Sequence, residues 1–548
     1  MRCDGTFCVL HAPWIPGRAR DGGVTEHSLL DVLCQAHGVV GLSGDLPTQT
    51  FAVSRLLLAV LHGAIRGPKD IAEWEELWRA PALPTDAIEA YLAEHHERFD
   101  LLHPETPFLQ TAELRTTKDE TFALDRLIAD VPNGVPFFAT RRGELSLSYA
   151  EAARWLVHAQ AFDPSGIKSG AVGDERVRNG KGYPIGVAWS GWLGGVLLEG
   201  KTLKETLLLN LLASDFGSTR DPEVDIPVWE RPPLTVRDES GHVEQGREPT
   251  GPADLYTWPS RRIRLIAGGG RITRVIIANG NRLQPQHRVD LEPHTAWRRS
   301  PNQERQLKSM VPVYMPRAHD PDRAIWRGLE SLLPAAVDRQ TSGPADRIAP
   351  GVLDWLGHLC MQRALPRDFP VTIRAVGMIY GSQSSVVDDV VHDSLDLVVA
   401  LARQDATGLV EMVKSCVRAA DDAAFALGNL AGDLVAAAGG DGAGPRSRAR
   451  ERLYADLDGA FREWLTSVGA DSDPVSSEIA WHRTADEVTR SAAADLMRTV
   501  SPAAWEGRIV RQQVLTAAHA DNKFRRSLKK ALPHAYATAP AVADPGAP

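Results

Sequence analysis

Apolar residues in the first part of the chain recur at helical spacing. TFAVSRLLLAVLHGAI (50–65) predicts a strongly apolar helix. LPTDAIEAYLAEHHERFDLL (83–102) predicts a second helix, with Thr85 as its candidate N-cap. KTLKETLLLNLLAS predicts a third, because Thr202 and Glu205 have the spacing of a capping box. The beginning of the chain is therefore expected to be mostly helical.

Alternating apolar and polar runs predict strands farther along. SRRIRLIAGGGRITRVIIANG (260–280) contains two such runs joined by three glycines, which is typical of a hairpin. The alternation puts Arg262 and Arg264 on one face of the first run and apolar side chains on the other. Residues 186–200 predict a buried strand or a strand pair, and residues 371–380 predict a further strand.

The pattern changes near residue 385, after which amphipathic helical segments dominate. The first of them, VVDDVVHDSLDLVVALARQ, begins at Val386. A succession of such segments over roughly 150 residues predicts an antiparallel helical bundle. We therefore expect a mixed domain over 1–384, a helical bundle domain over 385–533 and a disordered tail over 534–548.

The composition indicates a globular chain with more than one domain. The chain has 548 residues, of which 43% are hydrophobic and 24% are charged. Its five cysteines lack the spacing of a zinc site or a disulfide framework, which is typical of a reducing cytoplasm. The N-terminal segment lacks a signal-peptide pattern, and no apolar run reaches the length of a membrane span. We therefore expect a cytoplasmic protein without a membrane-spanning segment.

Charge is unevenly distributed along the chain. The net charge of −9 argues against a protein that coats nucleic acid by itself. However, residues 258–308 carry eleven Lys and Arg against three Asp and Glu, and residues 505–530 carry seven against two. Residues 385–440 are acidic instead. These clusters indicate either a localised contact with an anionic partner or ordinary solvated faces.

The sequence contains no complete catalytic motif. His319–Asp320 and His392–Asp393 resemble the paired ligands of metal phosphohydrolases, but two ligands do not complete a coordination shell. No G-x-S-x-G, H-E-x-x-H or strand-linked G-x-G-x-x-G motif occurs. The sequence therefore favours a non-enzymatic binding or assembly subunit that uses no metal or cofactor. A metal-dependent hydrolase and a purely structural helical scaffold are the alternatives.

The loop DPSGIKSGAVG (163–173) places a lysine and a serine among small residues. A phosphate-binding P-loop needs glycine directly before that lysine and again five residues earlier. Ile167 and Phe162 occupy those two positions. The preceding segment is helical, and the following one is too rich in glycine and charge to begin a helix. The loop is therefore not a nucleotide-binding P-loop.

Several segments together resemble one family, CasA, the large subunit of the type I-E CRISPR Cascade complex. The segments that carry this resemblance are WIP (14–16), HPETPFLQT (103–111), LIADVPNGVPFF (127–138), DPSGIKSG (163–170), TLLLNLL (206–212) and YGSQSS (380–385). Their order, their spacing and the C-terminal helical region extend the resemblance over nearly the whole chain. Some family members carry a Cys-rich zinc knob, which this sequence lacks.

The resemblance implies an α+β fold, in which a large mixed α/β domain precedes a C-terminal four-helix bundle. It implies a non-catalytic subunit that checks duplex DNA for a protospacer-adjacent motif (PAM) and helps to open the duplex. The implied nucleic-acid partners are CRISPR RNA and double-stranded target DNA. The implied protein partners are the small, backbone and guide-end-capping Cascade subunits and the Cascade nuclease-helicase.

The resemblance also assigns contacts to the PAM. Ser165, Gly166 and Lys168 match the family's glycine loop, which meets the minor groove, and glycine permits close backbone approach. Arg261 or Arg262 matches the family's lysine finger, and arginine suits a narrow minor groove. The residues alone also allow a plain surface turn at the loop and an edge-strand charge pattern at the arginines.

Gln383 matches the family's glutamine wedge, and Ser384 lies beside it. In the family this side chain enters the base stack beneath the PAM and opposes re-pairing. Unstacking costs a few kcal/mol per step, which contacts to the opened duplex must offset. The residues alone also allow a hairpin turn that has a polar tip.

Two further contacts follow from the resemblance. Phe137, Phe138, Arg141 and Arg142 form an aromatic and basic loop, which in the family secures the subunit to the guide-RNA end. A buried Phe pair under a basic turn is the alternative. Contacts to the displaced, non-target strand are assigned to five cations near the C-terminus: Lys523, Arg525, Arg526, Lys529 and Lys530.

Overall fold

The chain divides into two compact units in the computed structural model. The first comprises Met1–Arg323, Asp338–Leu365 and Val371–Ser394, and the second comprises Ala324–Val337, Pro366–Pro370 and Leu395–Pro548. The residues described are 7–129, 145–217, 221–237, 247–333, 345–403, 405–510 and 512–536. The second unit thus takes two short segments from the middle of the chain, which contiguous domains over 1–384 and 385–533 do not anticipate.

Short helices and short strands make up the first unit. Its described helices are α1 (Leu29–Cys34), α2 (Pro47–Ile65), α3 (Ile71–Arg79), α4 (Thr85–Glu94), α5 (Tyr149–Phe162), α6 (Leu203–Leu209), α7 (Pro252–Tyr256), α8 (Pro301–Leu307) and α9 (Gly351–Met361). Its shorter strands are β1 (Ile15–Arg18), β2 (Val24–His27), β3 (Gly41–Leu42), β4 (Lys168–Ser169), β5 (Lys181–Gly182), β6 (Gly195–Glu199), β9 (Trp297–Arg299), β10 (Tyr314–Pro316) and β11 (Arg347–Ile348). Its longer strands are β7 (Arg261–Gly268), β8 (Arg271–Asn279), β12 (Pro370–Tyr380) and most of β13 (Val387–Val398).

These strands form several small sheets rather than one large one. The three-stranded sheets have the orders β2-β1-β3, β10-β9-β11 and β13-β12-β6, and β4-β5 and β7-β8 form separate pairs. The predicted hairpin is confirmed as β7-β8, whose register pairs Arg261 with Asn279. Gly269 and Gly270 adopt positive φ in its turn, a conformation that glycine reaches without a steric penalty.

The apolar helix α2 forms the core of the first unit. It is long and apolar enough to cross a bilayer, but 78% of its most apolar window is buried inside the fold. Arg55 on this helix forms a bidentate pair with Glu292, at 2.7 and 2.8 Å, and the Trp189 indole donates to the same carboxylate. This hydrogen-bonded buried ion pair explains how an arginine fits in the middle of an apolar helix.

Three local expectations need correction. The segment that begins at Val386 forms strand β13 instead of a helix, because it pairs with β12 in a sheet and its β-branched valines favour extended backbone. The N-cap of α4 is Pro84, so Thr85 is the first helical residue. Thr202 caps α6 as expected, but the Glu205 carboxylate accepts from the Lys201 N–H and thus does not close the capping box.

Other expectations hold in part. Residues 371–380 are confirmed as a strand within β12. Within residues 186–200, Trp189–Trp192 form a 3-10 turn and only β6 is extended. Cys34, Cys360 and Cys416 form no disulfide, whereas Cys8 is disulfide-bonded, which the sequence does not predict.

The second unit is mainly helical. Its described elements are α10 (Thr407–Ala437), α11 (Ala443–Ser467), α12 (Pro474–Arg498), α13 (Pro502–Glu506), β14 (Arg508–Val510), β15 (Gln513–Leu515) and α14 (Ala517–Ala531). Helix α10 contacts α11, α12 and α14, so four long helices share one core. Within it the Trp481 ring packs edge-to-face against Phe461 and at a tilt against Trp464, and the Trp481 indole donates to the Cys416 carbonyl. This is the mixed architecture with C-terminal helices that we expected.

We predict a pH-dependent gain of stability from Asp354→Asn. Burial raises the pKa of Asp354 to about 6. The folded pKa lies above the unfolded value, so stability is lost as pH rises from about 4 through about 6. Thermal melting of the full chain should show Asp354→Asn more stable than wild type by about 1–3 kcal/mol at pH 8, with little difference at pH 4.

The matched control is Asp86→Asn, since Asp86 is an exposed aspartate in the first turn of α4. Equal gains from the two variants at pH 8 would contradict burial as the cause.

Candidate nucleic-acid interface

A loop and a turn that are distant in sequence meet in the first unit. The 163–167 loop follows α5 and precedes β4, and the 381–385 turn joins β12 to β13. The Ser165 N–H donates to the Ser384 carbonyl at 2.8 Å. A Cβ added to Gly166 would lie 3.4 Å from the Cβ of Ser385, which is close contact. Residues of both segments also line one cavity of about 630 Å³. The two segments therefore form one continuous surface.

The 163–167 loop presents backbone donors. Gly166 has φ +100°, a conformation that side chains rarely adopt. Within the described part of the chain, the N–H groups of Gly166 and Ile167 donate to no acceptor. The Ile167 side chain is 57% exposed. These two adjacent amides are thus open to an external acceptor, and Ile167 is a site residue that the sequence motif did not indicate.

A buried carboxylate braces the loop from behind. Asp163 Oδ2 lies 2.5 Å from Arg261 Nε and 2.5 Å from Lys168 Nζ. The side chains of Asp163 and Arg261 are 3% and 1% exposed. Burial lowers the pKa of Lys168, and the adjacent Asp163 opposes that shift. Lys168 therefore forms an ion pair within the fold. Ser165 is also buried, and its N–H donates to the Ser384 carbonyl.

The structure corrects the expected exposure of Arg261 and Arg262. The Arg261 guanidinium also donates to the carbonyls of Asp163, Pro164 and Gly186. Arg262 is fully buried and donates to backbone carbonyls and to Asn281 Oδ1. Neither guanidinium reaches the surface in this conformation, so neither is positioned to enter a DNA groove. Carbonyl oxygens from other segments accept hydrogen bonds from both guanidinium groups. The alternation of residues along the strand does not predict these contacts.

The wider basic cluster is also largely used within the fold. Several of its arginines donate to backbone or side-chain acceptors elsewhere in the chain: Arg264 to Leu114, Arg271 to Ser146, Arg274 to Thr121, Arg288 to Glu248 and Arg299 to Glu304. Part of the excess charge of residues 258–308 is therefore committed to contacts within the fold.

The 381–385 turn holds its tip in an unusual backbone conformation. Gln383 and Ser384 have φ +55° and +54°, and neither is a glycine. Residues in this region cost of order 1–3 kcal/mol each and persist only where the surroundings impose them. The Gln383 side chain is exposed and makes no hydrogen bond to the described residues. The turn thus presents Gln383 outward from a defined backbone conformation.

The remaining predicted residues lie elsewhere. Phe137, Phe138, Arg141 and Arg142 fall outside the described residues. The C-terminal cations occupy the exposed face of α14, whose opposite face buries Phe524 and Leu528. Their contacts within the unit are as follows: Lys523 pairs with Asp433 at 2.8 Å, Arg525 pairs with Asp521 at 2.8 Å, Arg526 donates to the Asn522 carbonyl, Lys529 lies over the Tyr536 ring, and Lys530 is exposed.

The two His-Asp pairs approach each other, because Asp393 lies near enough to His319 to oppose the lowering of its pKa. His319 Nε2 lies 2.9 Å from the Gly195 carbonyl oxygen, and burial lowers its pKa. His392, on β13, contacts the guanidinium of Arg374, which is paired with Glu199. Among the residues described, no group of three or more His, Cys, Asp or Glu could hold a metal ion.

Comparison with known proteins identifies the family. The family model for CRISPR-associated protein Cse1 matches residues 9–492, a span that contains both the 163–167 loop and the 381–385 turn. The chain belongs to the Cse1 family. Cse1 from Thermobifida fusca has the same fold, with a TM-score of 0.90 and 46% identity over 96% of this chain and 98% of that one.

Two other relatives extend the comparison. The CRISPR-associated protein CasA/Cse1 of Thermus thermophilus is 32% identical over 339 residues, and the match spans only 60% of this chain and 60% of that relative. A chain of a solved CRISPR RNA-guided surveillance complex shares the fold, with a TM-score of 0.69 and 19% identity over 96% of this chain and 99% of its own length. Membership of the Cse1 family confirms the resemblance that the short motifs indicated.

We predict that Asp163→Asn strongly destabilises this Cse1 family member. The substitution leaves the Arg261 and Lys168 cations facing each other without their counter-charge in a buried site. Removing one partner of a buried pair typically costs about 3–5 kcal/mol. Urea unfolding of the full chain measures the loss.

Lys69→Gln is the matched control, because it removes an ion pair with Glu73 in which Lys69 is 80% exposed. An exposed pair contributes about 0–1 kcal/mol. Similar losses from the two variants would show that Asp163 does not brace the loop.

Proposed function

We propose that this chain is a non-catalytic DNA-recognition subunit of a type I-E Cascade complex, which reads the PAM through the minor groove and starts duplex opening. The observation that carries the proposal is the 2.8 Å hydrogen bond from Ser165 to Ser384. It joins two segments to which the family resemblance assigns PAM contact and strand separation. One surface thus unites the two tasks, which act on adjacent base pairs.

The backbone of the 163–167 loop supplies the PAM contact. The N–H groups of Gly166 and Ile167 donate to base-edge or sugar-phosphate acceptors at the minor groove. Since the minor groove distinguishes base pairs poorly, such a reader tolerates several motifs. Lys168 and Ser165 hold the loop in shape from within, and Arg261 supports it from the neighbouring strand. Arg262 bonds to segments outside the loop and takes no part in the DNA contact.

The 381–385 turn supplies the wedge. Gln383 projects from a turn whose backbone is already held in one conformation, so its entry into the base stack costs side-chain freedom but little backbone freedom. Its insertion offsets part of the few kcal/mol that unstacking one step costs. Ser384 stays with the loop through its carbonyl group.

The rest of the complex supplies the other contacts. In this proposal CRISPR RNA pairing provides sequence specificity, so a protein with a net charge of −9 needs only a local DNA contact. The cations on α14 contact the displaced strand, and the helical unit meets the small and backbone subunits. The loop with Phe137, Phe138, Arg141 and Arg142 secures the chain to the guide-RNA end and its capping subunit. The Cascade nuclease-helicase docks on this subunit and cuts the DNA, all in the cytoplasm.

The decisive test compares reconstituted guide-RNA complexes with and without this chain. Duplex targets differ only in the trinucleotide beside the matched sequence, and binding is measured at fixed salt, since phosphate contacts are salt-dependent. Binding that depends on both the chain and the trinucleotide supports the proposal. Binding that ignores either one rejects it. Stoichiometric Mn, Zn or Ni in the purified chain would instead favour the hydrolase alternative.

We predict that Gln383→Ala slows duplex opening about tenfold or more while initial capture of PAM-containing DNA changes little, because only the wedge is lost. Stopped-flow fluorescence of 2-aminopurine beside the PAM measures opening, and filter binding measures capture.

Ser382→Ala is the matched control in the same turn, since the Ser382 hydroxyl makes no hydrogen bond to the described residues. If it slows opening as much as Gln383→Ala, the effect belongs to the turn as a whole and the Gln383 assignment is wrong.

A further inference from the structure

The 381–385 turn is attached to the 163–167 loop at two points. At the tip, the Ser165 N–H donates to the Ser384 carbonyl. At the base, the hydroxyl of Tyr380 donates to the carbonyl of Phe162 at 2.6 Å. Tyr380 is the last residue of β12, directly before the turn, and Phe162 is the last residue of α5, directly before the loop. The Tyr380 phenol therefore connects the residue that precedes the turn with the residue that precedes the loop.

Space for this phenol is provided by a glycine. Gly191 lies in the Trp189–Trp192 turn, and a Cβ built on it would stand 2.3 Å from the Tyr380 hydroxyl oxygen. Such a distance is not tolerated, so any side chain there displaces the phenol. Gly191 does not have positive φ, and a larger residue would therefore act through steric contact alone.

The partner of Tyr380 is itself held firmly. Phe162 is buried, and the next residue, Asp163, is fixed by Arg261 and Lys168. Burial raises the pKa of the Tyr380 hydroxyl, and Asp163 raises it further, so the phenol remains a proton donor at physiological pH. The turn is thus anchored to the buried C-terminal end of α5.

We propose that Tyr380 is a positioning residue for duplex opening, which holds the 381–385 turn at a fixed distance from the 163–167 loop. When the loop captures a duplex, Gln383 then always meets the same base-pair step, directly beside the captured base pairs. This inference rests on the proposed function. It adds that capture and opening are coupled by a hydrogen bond that touches no DNA.

The test uses Tyr380→Phe in the complete reconstituted complex. Capture of PAM-containing duplex should stay within about twofold of wild type, and opening should slow about fivefold, the size expected from the loss of one hydrogen bond. Tyr314→Phe is the matched control, because the Tyr314 hydroxyl also donates to a backbone carbonyl, that of Ala345, in a different sheet. It should open DNA at the wild-type rate.

Two further measurements separate positioning from general damage. On a target with a pre-opened bubble beside the PAM, Tyr380→Phe should act like wild type, since no wedge is needed. In a Gln383→Ala background, Tyr380→Phe should slow opening no further, because both act through one side chain. Losses on the bubble target, or additive losses in the double variant, would overturn the proposal.

Gly191→Ala provides a second variant, which keeps the Tyr380 hydroxyl but pushes it away from the Phe162 carbonyl. It should reproduce the slow opening of Tyr380→Phe with intact capture, and wild-type opening would contradict the proposal. If the wild-type complex itself shows no PAM dependence, the proposed function fails. If the wild type depends on the PAM while Tyr380→Phe opens DNA normally, only this inference fails.

Discussion

The candidate interface depends on the buried carboxylate of Asp163. A single oxygen of this side chain meets both Arg261 and Lys168, so one anion fixes the end of α5, the start of β7 and the start of β4. Burial of three charges is tolerated because backbone carbonyls satisfy the remaining guanidinium protons. The loop between these elements is left with little freedom, and the amides of Gly166 and Ile167 have no acceptor among the described residues. The site is thus built on buried ion pairs of Asp163 with Arg261 and Lys168, and not on a positively charged surface.

The long regular elements follow from sequence pattern. The β7-β8 hairpin, helix α2 and strand β12 each carry enough periodicity or turn chemistry to be recognised locally. The segment from Val386 has apolar residues compatible with helical spacing, and only pairing with β12 decides that it is extended. Non-local hydrogen bonding overrides a weak periodic signal in this way because sheet partners are invisible to a local pattern.

The site illustrates the same limit at the level of side chains. Gly166 and Gln383 were indicated by short motifs, and the structure brings their segments together. The fate of Arg261 and Arg262 depends on carbonyls from distant segments, so sequence indicated charge but not its burial. Ile167 went unnoticed because its contribution is a main-chain amide, which every residue except proline carries. Tyr380 could be found only from the contact that its hydroxyl makes.

The left-handed pair Gln383 and Ser384 has an evolutionary consequence. A glycine at either position would relieve backbone strain and would be expected to make the folded chain more stable. It would also broaden the directions in which the tip can point. Retaining two side-chain-bearing residues in that conformation sacrifices thermodynamic stability for a defined orientation. Selection for fold stability alone would drift toward glycine here, so the Ser-Gln-Ser tip is expected to persist only in lineages where the direction of that side chain affects survival.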